Sequence, residues 1–180
     1  MKIHFIILIA FVSLALSATS PALAKPSDDA VKQLHALQEQ LGKDVAYGTA
    51  HSLTVLYVEE SILTFVAIKP EDIRKSCDFS LVITGDGVDS KSGAEFQKAD
   101  AMEPRAAGGF DCRWGFQFRD VHGRVIHEIY MDRGGNGEFD SIPITIQPAL
   151  RDKLRRTFIN CFLCLGGRNI KAPQQAVLAP

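Results

Sequence analysis

The chain has 180 residues, of which 46% are hydrophobic and 23% charged, and its formal net charge at pH 7 is −1. This length fits one domain. The nearly neutral balance argues against nucleic acid as a partner, because phosphate binding needs a clustered positive surface, and it gives no polybasic attraction to anionic lipid.

Residues 1–24 predict a cleaved secretory signal. Lys2 gives a positive start, Phe5–Leu16 is almost wholly apolar, and Ala22–Ala24 places small residues where signal peptidase needs them. The apolar run is too short to span a membrane. No cysteine lies at the cleavage site, so we do not expect a lipid anchor. We expect the mature protein to begin at Lys25 and to work in the periplasm or outside the cell.

The first elements predicted after the signal are a helix and a β-hairpin. Ser27 can cap a helix over 28–41, whose apolar residues fall on one stripe, and Gly42 can end it. The apolar segments Leu53–Val58 and Ile62–Ile68 then flank Glu59-Glu60-Ser61, a polar turn whose adjacent carboxylates we expect to be solvated. Residues after Pro70 predict a single helical turn.

Two later segments alternate cleanly between apolar and polar residues. Cys77–Thr84 places its phenylalanine, leucine and isoleucine on one face, and Cys112–Arg119 does the same with its tryptophan and two phenylalanines. Such alternation is typical of antiparallel strands with one face on a core and the other in water. Val125–Met131 and Phe139–Ile146 predict further strands.

The connection over 85–109 is polar and rich in glycine, with one short helical stretch predicted at 94–101. Connections of this length in a compact domain are uncommon and are either binding elements or simply mobile. The sequence does not separate these alternatives. Asp86 and Asp89 are the candidate partner-binding residues of this segment.

The last predicted helix begins at Pro148 and ends at Gly166-Gly167. It carries an apolar stripe and, on its outer side, four basic residues that form either a solvated surface or a contact for an acidic partner: Arg151, Lys153, Arg155 and Arg156. The globular domain is predicted over 25–168, followed by a disordered tail over 169–180.

Four cysteines remain after the signal, and an even number in a small exported domain predicts two disulfides. They are Cys77, Cys112, Cys161 and Cys164. The Cys161–Cys164 spacing would suit zinc in a cytosolic protein, but export favours disulfides. A redox pair is disfavoured because such pairs start a helix rather than end one. The connectivity stays open, with Cys161 the natural partner for a strand cysteine.

The segment Asp132–Asp140 has two interpretations. Asp132, Asn136 and Asp140 match oxygen-ligand positions of a calcium loop, but Gly134 and Pro143 stand where two further ligands belong. The favoured alternative is a hairpin turn in which Asn136-Gly137 supplies positive φ, with Arg133 and Asn136 available to a partner. Neither calcium nor any other cofactor is required by this interpretation.

No catalytic motif occurs in the chain, and the histidines have no ligand-spaced neighbours. His127 is expected to be packed and hydrogen-bonded. The sequence therefore predicts an α+β domain: a mainly antiparallel sheet of five to six strands, cross-linked by disulfides, with an N-terminal and a C-terminal amphipathic helix packed on it.

The favoured function is that of an exported, non-enzymatic binding protein, plausibly an inhibitor or immunity-type protein that acts on another envelope or secreted protein. The alternatives are an envelope hydrolase with a dispersed active site and a calcium-dependent binding module.

Overall fold

The computed structural model describes residues 26–61, 64, 66–84, 98, 100–164 and 176–178, and from residue 157 onwards it describes the backbone alone. The predicted signal over 1–24, both Asp86 and Asp89, and most of the predicted helix at 94–101 lie outside these residues. In the part of the chain that is described, no helix is long and apolar enough to cross a membrane.

Three α-helices lie in the described residues. They are α1 (Asp28–Ala46), α2 (Ile73–Ser76), which continues a 3-10 turn at Pro70–Asp72, and α3 (Pro148–Cys164). The Ser27 hydroxyl caps α1 as predicted, accepting a hydrogen bond from the Ala30 N–H at 3.2 Å. The predicted end of α1 at Gly42 is wrong: the helix continues to Ala46, because burial of Val45 outweighs the helix-weakening effect of one glycine.

Among the described residues, eight strands form one sheet in the order β3-β7-β6-β5-β4-β1-β2-β8. Their bounds are β1 Ser52–Tyr57, β2 Phe79–Thr84, β3 Met102–Pro104, β4 Trp114–Arg119, β5 Val125–Met131, β6 Asn136–Phe139, β7 Ile142–Ile146 and β8 Ala176–Leu178. Strands β1 to β7 are antiparallel to their neighbours, and β8 joins β2 in parallel. The predicted α+β class with a mainly antiparallel sheet is confirmed, but five to six strands was too few.

One side of the sheet, which we call the main face, carries the core. The alternating residues predicted to be buried, Phe79, Leu81, Trp114, Phe116 and Phe118, all lie on it. Helix α1 packs on this face through residues that include Leu34 and Leu41, and α3 packs on it through Leu150. The two terminal helices thus pack on the sheet, but the predicted helix placement was incomplete, because a third helix, α2, lies on the opposite side.

The opposite side, which we call the second face, is mixed. Helix α2 covers one part of it, where Ile73 packs with Leu56 and Tyr130 in a smaller apolar cluster. Gly115 lies beneath, and a Cβ there would stand 2.9 Å from the Tyr130 ring. Glycine thus allows the ring to lie flat over β4.

The predicted hairpin partner of β1 is wrong. β1 pairs with β2 on one side and with β4 on the other, so both of its edges are occupied. Of the 62–68 segment, residues 64 and 66–68 are described and belong to no strand. Ile68 instead joins the chain before β4, donating its N–H to Asp111 Oδ1 at 2.9 Å and accepting from the Cys112 N–H at 2.8 Å.

The single strand predicted over 139–146 is divided into β6 and β7. Asp140 and Ser141 both have positive φ, 45° and 70°, and form the tight turn between these strands. Two further strands come from segments predicted to be irregular, since β3 belongs to the 85–109 connection and β8 to the 169–180 tail.

Candidate functional site

The segment predicted as a single turn, Asp132–Asp140, holds two turns separated by β6. The first, which we call the 132–135 turn, joins β5 to β6. Its carboxylate at Asp132 accepts hydrogen bonds from the backbone N–H of Asn136 at 2.8 Å and from Asn136 Nδ2 at 3.2 Å. A hairpin turn is confirmed here, but the positive φ of 93° belongs to Gly135 rather than to Asn136-Gly137.

Gly137 is required for a different reason. It lies in β6, where a Cβ would collide with the backbone carbonyl oxygen of Tyr130 on β5. A side chain at this position would push the two strands apart. The predicted importance of this glycine is therefore a matter of close backbone approach, not of backbone conformation.

The three proposed calcium ligands have different hydrogen-bond partners. Asp132 and Asn136 bond to each other, whereas Asp140 accepts from His127 Nδ1 at 2.7 Å and from the Glu128 N–H at 2.7 Å. The described residues contain no group of three or more His, Cys, Asp or Glu side chains arranged to hold a metal ion. Strand β6 lies between Asp132 and Asp140, the first and last candidate ligands.

Three groups from other elements fasten the 132–135 turn. Arg151 Nη1 on α3 donates to the Gly134 carbonyl at 2.9 Å, and Arg155 Nη2 donates to the Arg133 carbonyl at 2.7 Å. The Ile146 N–H donates to the Gly135 carbonyl at 2.7 Å. Two of the four basic residues predicted as an outer surface of α3 therefore face the turn and stabilise it.

A cleft of about 280 Å³ lies beside this turn, and we call it the turn cleft. Its wall contains Arg113, which is 5% exposed and whose Nε donates to Asp111 at 2.9 Å. Arg113 Nη2 also donates to the Thr64 hydroxyl at 3.3 Å. Arg133 completes the lining: it is exposed, and its guanidinium makes no hydrogen bond or ion pair with any described residue.

Glu60 is the lining residue that the sequence interpretation misjudged. We expected solvated carboxylates at Glu59-Glu60, yet Glu60 Oε1 accepts from Trp114 Nε1 at 2.6 Å and from Arg155 Nη2 at 2.6 Å. Its side chain is 21% exposed. The indole of the core thus links to the α3 arginine through one carboxylate. No local pattern signals this, because the three residues lie in separate parts of the sequence.

His127 is packed and hydrogen-bonded, as predicted. It is 6% exposed, and its Nε2 lies 3.0 Å from Asp44 Oδ2 near the end of α1, while Nδ1 faces Asp140. Burial acts to lower the pKa of His127, but the Asp140 and Asp44 carboxylates prevail and raise it above its ordinary value. With a carboxylate at each ring nitrogen, His127 links Asp44 of α1 to Asp140 of the sheet, and the protonated imidazolium can donate to both.

The disulfide prediction is wrong for Cys77 and Cys112, which are free. Each precedes its own strand, β2 or β4, and β1 lies between these strands. Two strand spacings separate positions by about 9.6 Å, which exceeds the reach of about 7 Å for a disulfide. Burial raises the pKa of both thiols, for Cys112 to about 12. The side chains of Cys161 and Cys164 lie outside the described ones.

No family model, no curated protein and no solved structure matches this chain. Of the predicted partner-binding residues that are described, the structure leaves Arg133 accessible and engages Asn136 with Asp132.

Proposed function

We propose that this chain is an exported binding protein whose 132–135 turn and turn cleft contact another protein of the cell envelope, in the manner of an inhibitor. The single observation that carries the proposal is the fastening of the turn by α3 and β7, with the Arg133 side chain left exposed at its tip. The export itself rests on the signal pattern of residues 1–24.

The fixed backbone of the 132–135 turn favours binding, because the association of two proteins must offset the entropy that is lost when interface groups become ordered. Here the backbone of Arg133, Gly134 and Gly135 is already fixed by hydrogen bonds from neighbouring elements. A partner that docks on this turn therefore meets a preformed shape. Rigid turns of this kind suit inhibitors, whose interface backbone moves little on binding.

Arg133 is the expected anchor. Arginine is enriched among the few residues that contribute most of the energy of an interface. The other charges of the turn cleft have partners within the protein, since Arg113 bonds to Asp111 and Glu60 to Arg155. Arg133 thus supplies the charge that is available to a partner, and an acidic group on that partner complements it.

The experiment is affinity capture from envelope extract with the mature chain, followed by titration of the captured protein in purified form. A stoichiometric partner is expected, and Arg133→Ala should weaken its binding by about 30-fold, as for an arginine that contributes roughly 2 kcal/mol. Arg124→Ala is the matched control, because Arg124 is an exposed arginine in the turn at the other end of the β4–β5 hairpin. Its removal should leave binding unchanged.

Two results would overturn the proposal. One is a partner that binds the Arg133→Ala variant as tightly as the natural chain. The other is turnover of an envelope substrate by the purified protein, which would favour the hydrolase alternative.

A further inference from the structure

A second cavity, of about 530 Å³, lies on the second face of the sheet beside α2. We call it the arginine pocket. Its volume falls within the range typical of sites for small molecules, whereas the turn cleft is smaller than that range. The residues that matter for its chemistry are Thr54, Leu56, Arg74, Ser80, Val82 and Arg119.

Two guanidinium groups converge in this pocket on one neutral oxygen. Arg74 Nη2 donates to Gln117 Oε1, and Arg119 Nη2 donates to the same atom at 2.8 Å. The remaining hydrogen bonds of Arg119 go to the Thr54 hydroxyl at 3.3 Å and to the Gly123 carbonyl at 2.6 Å. Within the described residues, both arginines therefore have neutral partners alone, and neither forms an ion pair.

Four other described arginines are instead paired with carboxylates. Arg113, Arg124, Arg151 and Arg155 each have a carboxylate within 3.1 Å. Two permanently charged groups that share one amide oxygen repel each other, and the usual compensation is an anion. The described lining residues of the pocket include no carboxylate, so an anionic ligand would complete it.

The shared oxygen is held in place from behind. Gln117 is 5% exposed, and its Nε2 donates to the Tyr130 hydroxyl at 2.7 Å, which in turn donates to Glu128 at 3.0 Å. The amide is therefore oriented with its oxygen toward the arginines. Because a chain of hydrogen bonds fixes this orientation, the two guanidinium groups are positioned before any ligand arrives.

The rest of the lining is alternately polar and apolar. On neighbouring strands Thr54 pairs with Val82, and Leu56 pairs with Ser80. Ser80 is 8% exposed, and its hydroxyl makes no hydrogen bond with any described residue. A bare inorganic anion would make no contact with the apolar part of the wall at Leu56 and Val82, whereas a carboxylate attached to an aliphatic chain would contact both the polar and the apolar parts.

We propose that the arginine pocket binds a small amphiphilic carboxylate. The carboxylate oxygens accept hydrogen bonds from Arg74 and Arg119, and the Ser80 hydroxyl donates to the same group or to a neighbouring polar atom. The aliphatic part of the ligand packs on Leu56 and Val82. This site is separate from the turn cleft and does not depend on the proposed protein partner.

The test uses octanoate as the probe, with octanol and inorganic phosphate as comparison ligands, and follows binding to the full mature chain by calorimetry and by amide shifts in NMR spectra. Octanoate should bind at least tenfold more tightly than either comparison ligand, with shifts at Thr54, Ser80 and Arg119. Charge-assisted hydrogen bonds of this kind contribute enough that Arg74→Gln should weaken octanoate by about 10- to 100-fold.

Arg74→Gln is the primary variant because Arg74 is exposed on α2, whereas Arg119 also holds the 120–124 turn. Ser80→Ala is the second variant and should weaken binding severalfold without disturbing the strand. Lys75→Gln, the exposed neighbour of Arg74, is the matched control and should leave octanoate binding unchanged. Equal binding of octanol, tighter binding of phosphate, no binding of octanoate, or indifference to Arg74→Gln would each overturn the proposal.

Discussion

The two faces of the sheet are stabilised differently, although the same strands form both: the main face by apolar packing and the second face by specific hydrogen bonds. On the main face, Phe116 and Phe118 of β4 belong to one buried cluster with apolar side chains of α1 and α3. These contacts are all apolar and require no particular partner. On the second face, Gln117 and Arg119 of the same strand have specific hydrogen-bond partners that come from β1, β5 and α2. The first arrangement follows from hydrophobicity alone, whereas the second depends on exact register.

The largest expected effect tests the main face. Phe116→Ala should lower the free energy of unfolding by about 3–5 kcal/mol, because Phe116 is 2% exposed and its removal leaves a cavity at the centre of the core. Urea denaturation followed by circular dichroism measures it. Val121→Ala, at an exposed apolar residue, should change stability by less than about 0.5 kcal/mol. Similar losses for the two variants would contradict this description of the core.

A smaller effect tests the second face. Tyr130→Phe removes one hydroxyl and leaves the buried Gln117 Nε2 without its acceptor, so we expect a loss of about 1–3 kcal/mol in the free energy of unfolding. Tyr47→Phe is the control, since Tyr47 is 83% exposed and should tolerate the change. If neither substitution changes the free energy of unfolding, the hydrogen bond between Gln117 and Tyr130 contributes nothing to stability.

The smallest effect concerns the link between α1 and the main face. The folded pKa of His127 is raised by Asp140 and Asp44, although burial opposes the shift, while the unfolded chain titrates near the ordinary value of about 6.5. Its stabilisation is therefore complete below about pH 6.5 and is lost as the pH rises through the higher folded pKa.

Denaturation curves collected between pH 6 and pH 9 should show this decline in the natural chain. The decline should be absent in His127→Gln and retained in His122→Gln, whose histidine is exposed in the β4–β5 turn. A decline of equal size in the His127→Gln variant would show that another group titrates in this range.

Much of the main face could be predicted from the sequence, because period-two and helical patterns report directly on burial. The positions of β2, β4, β5 and the start of α3 follow from them. The division of the 139–146 segment between β6 and β7 could not be predicted in this way. Asp140-Ser141 is a weaker hairpin signal than Asn-Gly, and the residues around it alternate like a continuous strand. The 62–68 segment is as apolar as a strand, but β4 already occupies the edge of β1 that it would need.

The candidate sites were only partly predictable. The 132–135 turn was found because its residues are adjacent and rich in glycine. The arginine pocket was not, since Thr54, Arg74 and Arg119 are far apart in the chain and meet only through the register of β1, β2 and β4. The cysteines misled us because an even count does not show which cysteines lie close enough to pair, and both Cys77 and Cys112 are free.

The edge strand β3 has a consequence for self-association. It is three residues long and ends at Pro104, which has no N–H to offer to an incoming strand. A second chain that approached this edge would find too few hydrogen-bonding groups to extend the sheet. This edge of the sheet is therefore a poor template for the addition of a second chain.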